Sequence, residues 1–232
     1  MSNSEKKDKM YFYESFADEF DSKMNMYDTN KRVHVFFNEF LAKDELKDKS
    51  LLDAGCGTGW FSKAAFDRGA KVTSMDLGEN LLAQVAKKCQ SQKIVGSILD
   101  IPFPENTFDY VVSSEVIEHT PEPFKALSEI YRVLKPGGVM VISTPNKFWY
   151  WSLWVANKLN LRPYQGLENW SGYYQLKKAT IKVGFRIEKQ CGVHLIPFVH
   201  PATYPINNMF HKWNILFGPL MVNIVIKAIK SS

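Results

Sequence analysis

Cysteine is scarce in this chain. Cys56, Cys89 and Cys191 are too few and too scattered for a disulfide framework, and no C-x-x-C spacing offers a metal site. A reduced, cytoplasmic compartment fits that usage. Long apolar runs are missing as well: none approaches the roughly 18 residues of a membrane-spanning helix. The opening stretch, MSNSEKKDKM, is polar with no apolar core behind it, so no secretory signal is expected. Dense basic clusters are also absent, and a formal net charge of +5 over 232 residues is mild. Those two facts exclude a dedicated nucleic-acid binder while leaving room for an anionic substrate or a membrane surface. Repeats, linkers and low-complexity segments do not occur.

What is present reads as a single domain of ordinary composition, 45% hydrophobic and 23% charged, long enough to bury a substantial core. Val33, Phe36, Phe37, Phe40 and Leu41 recur at helical spacing. Short apolar stretches at 50–54, 70–76, 94–98, 108–115 and 139–145 read as strands. Helical patterns separate them, one ending in a basic turn at Gly69 and another stopping at KPGG. After Pro145 come an aromatic segment, a helix ending at Gly184 and a sixth strand over 185–196. A last strand over 221–230 is expected to close the sheet as an antiparallel edge. Strands alternating with helices imply a Rossmann-like, doubly wound α/β fold. Its sheet has seven strands, mostly parallel with an antiparallel last strand, and helices on both faces.

The sequence LLDAGCGTGW places Gly55, Gly57 and Gly59 between the first strand and a helix. Glycine permits positive φ and lets a ligand approach the backbone closely, and a helix start offers N–H groups to an anionic group. A phosphate loop is excluded because no G-K-[ST] follows, and Trp60 stands where a dinucleotide fingerprint needs its third glycine. An NAD-linked oxidoreductase fails on the same spacing. Asp53 precedes the turn, and Asp76 ends the second strand about 20 residues on, where an acid accepts from ribose hydroxyls or caps the next helix. These features favour a nucleotide-like ligand without choosing one.

Four ordered stretches, LLDAGCGTG, VTSMD, GSILDIPFPENTFDYVVSSEVIEH and ALSEIYRVLKPGGVMVISTPN, resemble the successive motifs of class I S-adenosylmethionine-dependent methyltransferases. The resemblance covers residues 50–146. EVIEH and LKPGG are similar to the small-molecule group that includes the ubiquinone-biosynthesis O-methyltransferases. It implies S-adenosylmethionine as cofactor, S-adenosylhomocysteine as product and no metal. By the same resemblance Asp53, Gly55, Cys56, Gly57, Thr58 and Gly59 hold the amino-acid part of the cofactor. Asp76 takes the ribose hydroxyls with Leu77 beside the adenine, Asp100 and Ile101 flank the adenine, and Glu115 lies under the methyl donor.

Methyl transfer to a hydroxyl is helped by a base, and His119, just past the fourth strand, is the candidate. The competing reading gives His119 only a loop-shaping role. Glu115, Glu118 and His119 form no familiar metal-ligand set. Cys56 reads as a small packing residue. His34, His194, His200 and His211 lack partner spacing.

Phe148, Trp149, Tyr150, Trp151 and Trp154 fall within seven residues. Residues 147–170 and 197–219 are expected to form lid insertions over a small, hydrophobic acceptor, around a cofactor-binding core at 46–146. Lys147 and Lys158 suit transient docking at a membrane interface. Residues 1–45 are expected to form a helical flap, with Tyr11, Phe12, Tyr13, Phe16 and Phe20 over the cofactor. The expected function is methyl transfer to oxygen. The rivals are N- or C-methylation of a sugar, polyketide or amine, and a catalytically silent cofactor-binding regulator. The sequence leaves monomer and homodimer open and gives no sign of a nucleic-acid partner.

Overall fold

The computed structural model describes residues 17, 19–23, 25–158, 166–197 and 201–231. Seven strands form one sheet: β1 (Ser50–Ala54), β2 (Lys71–Asp76), β3 (Gln92–Val95), β4 (Phe108–Ser114), β5 (Leu134–Pro145), β6 (Phe185–Val193) and β7 (Asn223–Lys230). Their order is β3-β2-β1-β4-β5-β7-β6. The first five pair in parallel, and β7 runs antiparallel to both β5 and β6. The final strand is therefore antiparallel as expected but interior, and β6 is the edge. Its composition agrees: Ile224, Val225, Ile226 and Ala228 are fully buried, which an edge would not require.

Eight helices are described: α1 (Phe20–Lys23), α2 (Met26–His34), α3 (Trp60–Phe66), α4 (Glu79–Ala86), α5 (Pro123–Val133), α6 (Trp151–Lys158), α7 (Tyr173–Val183) and α8 (Tyr204–His211). Alternate strand residues face opposite layers. Leu51, Val112, Val141 and Val225 pack with Phe36, Phe37 and Phe61 on one face. Leu52, Val111, Ile142 and Ile226 pack with Leu127, Ile130 and Leu176 on the other.

Two elements depart from the sequence pattern. The apolar spacing at 33–41 predicts an ordinary helix, but α2 passes into a π-helix at Val35–Phe40. The wider turn buries Val35, Phe36, Phe37 and Phe40 together. Strand β5 begins at Leu134 and runs through the Lys135–Gly138 stretch, with Gly137 at φ 75° absorbing the irregularity opposite Phe108 and Tyr110.

Chain order reverses between β1 and β4. At such a switch point the loops leaving neighbouring strands diverge and open a crevice at their carboxyl ends.

Candidate cofactor and active site

The glycine turn fills the floor of that crevice. Gly55, Gly57 and Gly59 have φ of 79°, 52° and 89°. A Cβ on Gly55 would fall 2.5 Å from Val116 Cγ2. Both causes call for glycine before any ligand is considered. The amides of Gly55 and Cys56 donate to the Met75 carbonyl at 2.8 and 3.0 Å. That of Gly57 donates to Asp76 Oδ2 at 2.8 Å.

Asp76 also accepts from Gly78 N–H through Oδ1 at 3.1 Å, so two backbone donors fix its carboxylate at the cavity wall. Asp53 is buried and accepts from Ser62 Oγ at 2.6 Å. Ser62 in turn contacts Ser74 at 2.7 Å, and Ser74 reaches Ser91 at 2.8 Å. Burial pushes the Asp53 carboxyl up to about 7; the Ser62 hydrogen bond works against that rise, and the nearby Asp76 charge adds to it.

Glu115 follows β4 with a left-handed φ of 57°, a strained conformation for a residue bearing a Cβ. Ser143 Oγ donates to its Oε1 at 2.8 Å and Asn223 Nδ2 to its Oε2 at 2.9 Å. Burial raises its carboxyl above the ordinary range, while the Arg32 guanidinium opposes the rise. Glu118, one turn on, is buried and accepts from Thr144 Oγ1 at 3.1 Å. Burial, and then the Glu115 charge, push it well up.

Sequence reasoning missed Arg32. It is buried, reaches the cavity from α2, and donates through Nη1 to Ser114 Oγ at 2.5 Å and through Nε and Nη2 to Asp28. Burial works against its charge, but Asp28 and Glu115 outweigh that and keep it protonated. Burial likewise disfavours the Asp28 carboxylate, and Arg32 with His194, at 3.0 Å, holds it well below the usual range. The signal was present as Thr29, Arg32 and Phe36 on one side of a helix, a cation among residues that all become buried.

His119 lies in the 3₁₀ turn Ile117–His119 and lines the cavity. Its Nδ1 is 2.9 Å from the Leu167 carbonyl, and its Nε2 is 3.8 Å from Glu118 Oε1. Asn169 ties the same strap down, donating to the carbonyls of Glu118 and Thr120 at 2.8 and 2.6 Å. On the opposite rim Asp21 of α1 accepts from Thr58 Oγ1 and Trp60 Nε1 and pairs with Lys88 at 2.8 Å.

Asp53, Gly55, Cys56, Gly57, Thr58, Asp76, Leu77, Glu115 and His119 all line this one cavity, which encloses about 1160 Å³ including its open mouth. Gly59 is the N-cap of α3 just behind it. Asp100 and Ile101 do not line it. The chain turns back between Ser97 and Asp100, so Gly96, Ser97 and Ile98 supply the wall after β3. Asp100 is exposed, whereas Ile101 is buried with its N–H on Glu129 and its carbonyl on Arg132. Cys56 packs with Leu82, Val85 and Cys89, and burial raises its thiol well above the ordinary range.

His34 and His211 contact Glu39 outside the cavity wall, and His194 meets Asp28. His200 and Tyr11, Phe12, Tyr13 and Phe16 lie outside the described residues, as does the Phe20 side chain. The aromatic residues from Phe148 to Trp154 do not line the cavity.

Residues 52–142 match a family model described as a methyltransferase domain. The strand order agrees with that match. Both support a class I S-adenosylmethionine-dependent methyltransferase. The chain is 42% identical over 98 residues to a malonyl-[acyl-carrier protein] O-methyltransferase of Serratia marcescens, covering 41% of this chain and 38% of that protein. It is 38% identical over 109 residues to a ubiquinone biosynthesis O-methyltransferase of Pseudomonas entomophila, covering 44% and 47%. The chain thus matches less than half the length of either relative. A solved structure from Thermotoga maritima, described as a possible histamine N-methyltransferase, superposes with a TM-score of 0.72 over 96% of this chain and 100% of that one. At 20% identity, it speaks for the fold alone.

Proposed function

We propose that this chain transfers a methyl group from S-adenosylmethionine to an oxygen of a small, hydrophobic acceptor. The observation that carries the reading is the meeting of the glycine turn, Asp53, Asp76, Glu115 and His119 in one cavity. The donor set fits the cofactor. The carboxyl groups of Asp53 and Glu115 suit its cationic amino and sulfonium groups, and Asp76 suits the hydroxyls of a ribose. Arg32 is a buried cation matched to a carboxylate, and it lines the same cavity. In this reading the wall formed by Ser97 and Ile98 serves the adenine end in place of Asp100 and Ile101.

S-adenosylmethionine supplies a methyl group on a sulfonium sulfur, a leaving group that needs no further activation. The protein's tasks are to align the acceptor, exclude water and take a proton. A carbonyl oxygen only accepts, so the Leu167 contact places the His119 proton on Nδ1 and the lone pair of the neutral ring on Nε2. That nitrogen takes the acceptor's hydroxyl proton as the new C–O bond forms. One histidine thereby both shapes the loop and acts as the base.

Residues 46–146 form the cofactor-binding core in this account, with Thr29 and Arg32 of α2 joining its wall. Three free, buried thiols accord with a reducing cytoplasm. Two O-methyltransferase relatives support oxygen as the acceptor atom. Incubating the full chain with methyl-labelled S-adenosylmethionine and a panel of phenols, carboxylic acids and amines tests the reading. Label transfer to hydroxyl acceptors is expected. Transfer to amines alone, or none beside firm cofactor binding, would overturn the oxygen assignment or the enzymatic one respectively.

A further inference from the structure

The aromatic segment does not pack inward. Phe148, Trp151 and Trp154 are exposed, Trp154 at 66%. A second segment brings more of the same: Trp213, Ile215 and Leu216 are exposed, Leu216 at 69%. The two are stitched together where they leave the sheet. Trp149 Nε1 donates to the Leu220 carbonyl at 2.8 Å, and Asn146 Nδ2 donates to the carbonyls of Pro219 and Met221 at 2.9 Å each. Pro145 and Asn223 are paired neighbours on β5 and β7, so both segments emerge side by side. They emerge at the end of the sheet where β4 runs into Glu115 and His119.

Scattered apolar residues on a surface need no explanation, but this many in two joined segments do. Their charges narrow the choice of partner. Across 146–158 and 201–220 there is no Asp or Glu, while Lys147, Lys158 and Lys212 are present and exposed. Lys158 and Lys212 sit over the rings of Trp154 and Trp213 at 5.0 and 5.8 Å. Tryptophan and tyrosine flanked by lysine is the composition of a surface seated at a lipid headgroup layer, rings in the interface and ammonium groups on anionic lipid. Among the described residues no helix is long and apolar enough to cross a membrane, so any such contact is peripheral.

We propose that the face built from 147–158 and 212–220 docks on an anionic lipid bilayer. The docking stands on this surface alone. Delivery of a hydrophobic acceptor from the bilayer to the neighbouring cavity rests in addition on the methyl transfer proposed above.

The test is co-sedimentation of the full chain with phosphatidylcholine vesicles, with and without phosphatidylglycerol, alongside two variants. One carries Trp151→Ser, Trp154→Ser and Leu216→Ser; the other carries Lys147→Glu, Lys158→Glu and Lys212→Glu. Circular dichroism confirms that both fold. The wild type is expected to sediment with anionic vesicles, about tenfold more strongly than with neutral ones, and each variant to lose that binding. Three results would overturn the proposal: no sedimentation with anionic vesicles, equal binding by the folded variants, or a concentration-dependent dimer that the serine variant dissolves. The last would show that a second copy of the chain covers this face. None of these readouts involves methyl transfer, so failure here leaves the catalytic reading to its own test.

Discussion

His119 Nδ1 lies 2.9 Å from the carbonyl oxygen of Leu167, across 48 residues of chain. The contact fixes the ring against the strap that Asn169 also holds, and commits Nε2 to the lone pair. Replacing His119 with Gln keeps a side chain of similar reach but removes the basic nitrogen. Turnover on the true acceptor should fall about 10²–10⁴-fold with cofactor affinity nearly unchanged. Turnover that survives the change would leave His119 with its loop-shaping role only.

Gly55→Ala tests the turn as a structural device. The added methyl meets Val116 at 2.5 Å on a backbone at φ 79°, so stability should drop by roughly 1–3 kcal/mol. Adding Val116→Ala should restore part of that loss, because it removes the two methyl groups at 2.5 and 2.6 Å but leaves Cβ at 3.1 Å and the backbone strain. Urea denaturation of the single and double variants decides it; identical losses would remove Val116 from the explanation.

Arg32 is expected to act through burial. Arg32→Met leaves the Asp28 carboxylate with His194 as its one charged partner among the described residues, and breaking a buried pair on one side costs about 3–5 kcal/mol. Arg32→Lys keeps the charge and should lose less stability, yet still weaken cofactor binding if the guanidinium fork receives a carboxylate. Equal affinity in the lysine variant and the wild type would argue against that contact.

Asp53 makes the pH dependence testable. Its carboxyl titrates at about 7 in the folded chain, raised by burial, against about 3.9 in an unfolded one. Between those values the folded state holds a proton that the unfolded state has released. Stability from this group is therefore present in full below about 4, falls as pH rises through that window, and levels off above about 7, a change on the order of 4 kcal/mol. Asp53→Asn should flatten this part of the curve and gain most, relative to wild type, at alkaline pH. An unchanged slope in urea midpoints across the range would contradict the assignment.

Much of the fold was legible because strand alternation and glycine punctuation are local signals. The same holds for Asp53, Asp76 and the glycine turn, which sit at strand ends where the topology opens. What escaped the sequence depended on distant packing. Arg32 enters the site only because α2 lies over the end of β4; its place beside Thr29 and Phe36 on one helix side marks burial but not that neighbour. The interior position of β7 depends on a late strand inserting between β5 and β6, which chain order does not announce. Asp100 and Ile101 rest on the family resemblance alone, and the turn after β3 puts Gly96, Ser97 and Ile98 on the cavity wall instead.

The central claim is that Asp76, held by the amides of Gly57 and Gly78, anchors a sulfonium nucleoside in the crevice. Calorimetric titration of the purified chain and its Asp76→Ala variant with S-adenosylmethionine and S-adenosylhomocysteine tests it most directly. Saturable heat with both ligands is expected for the wild type, with affinity lowered about tenfold or more in the variant, as loss of a charged hydrogen-bond acceptor implies. No heat with either ligand, or equal heat from both proteins, would contradict the account.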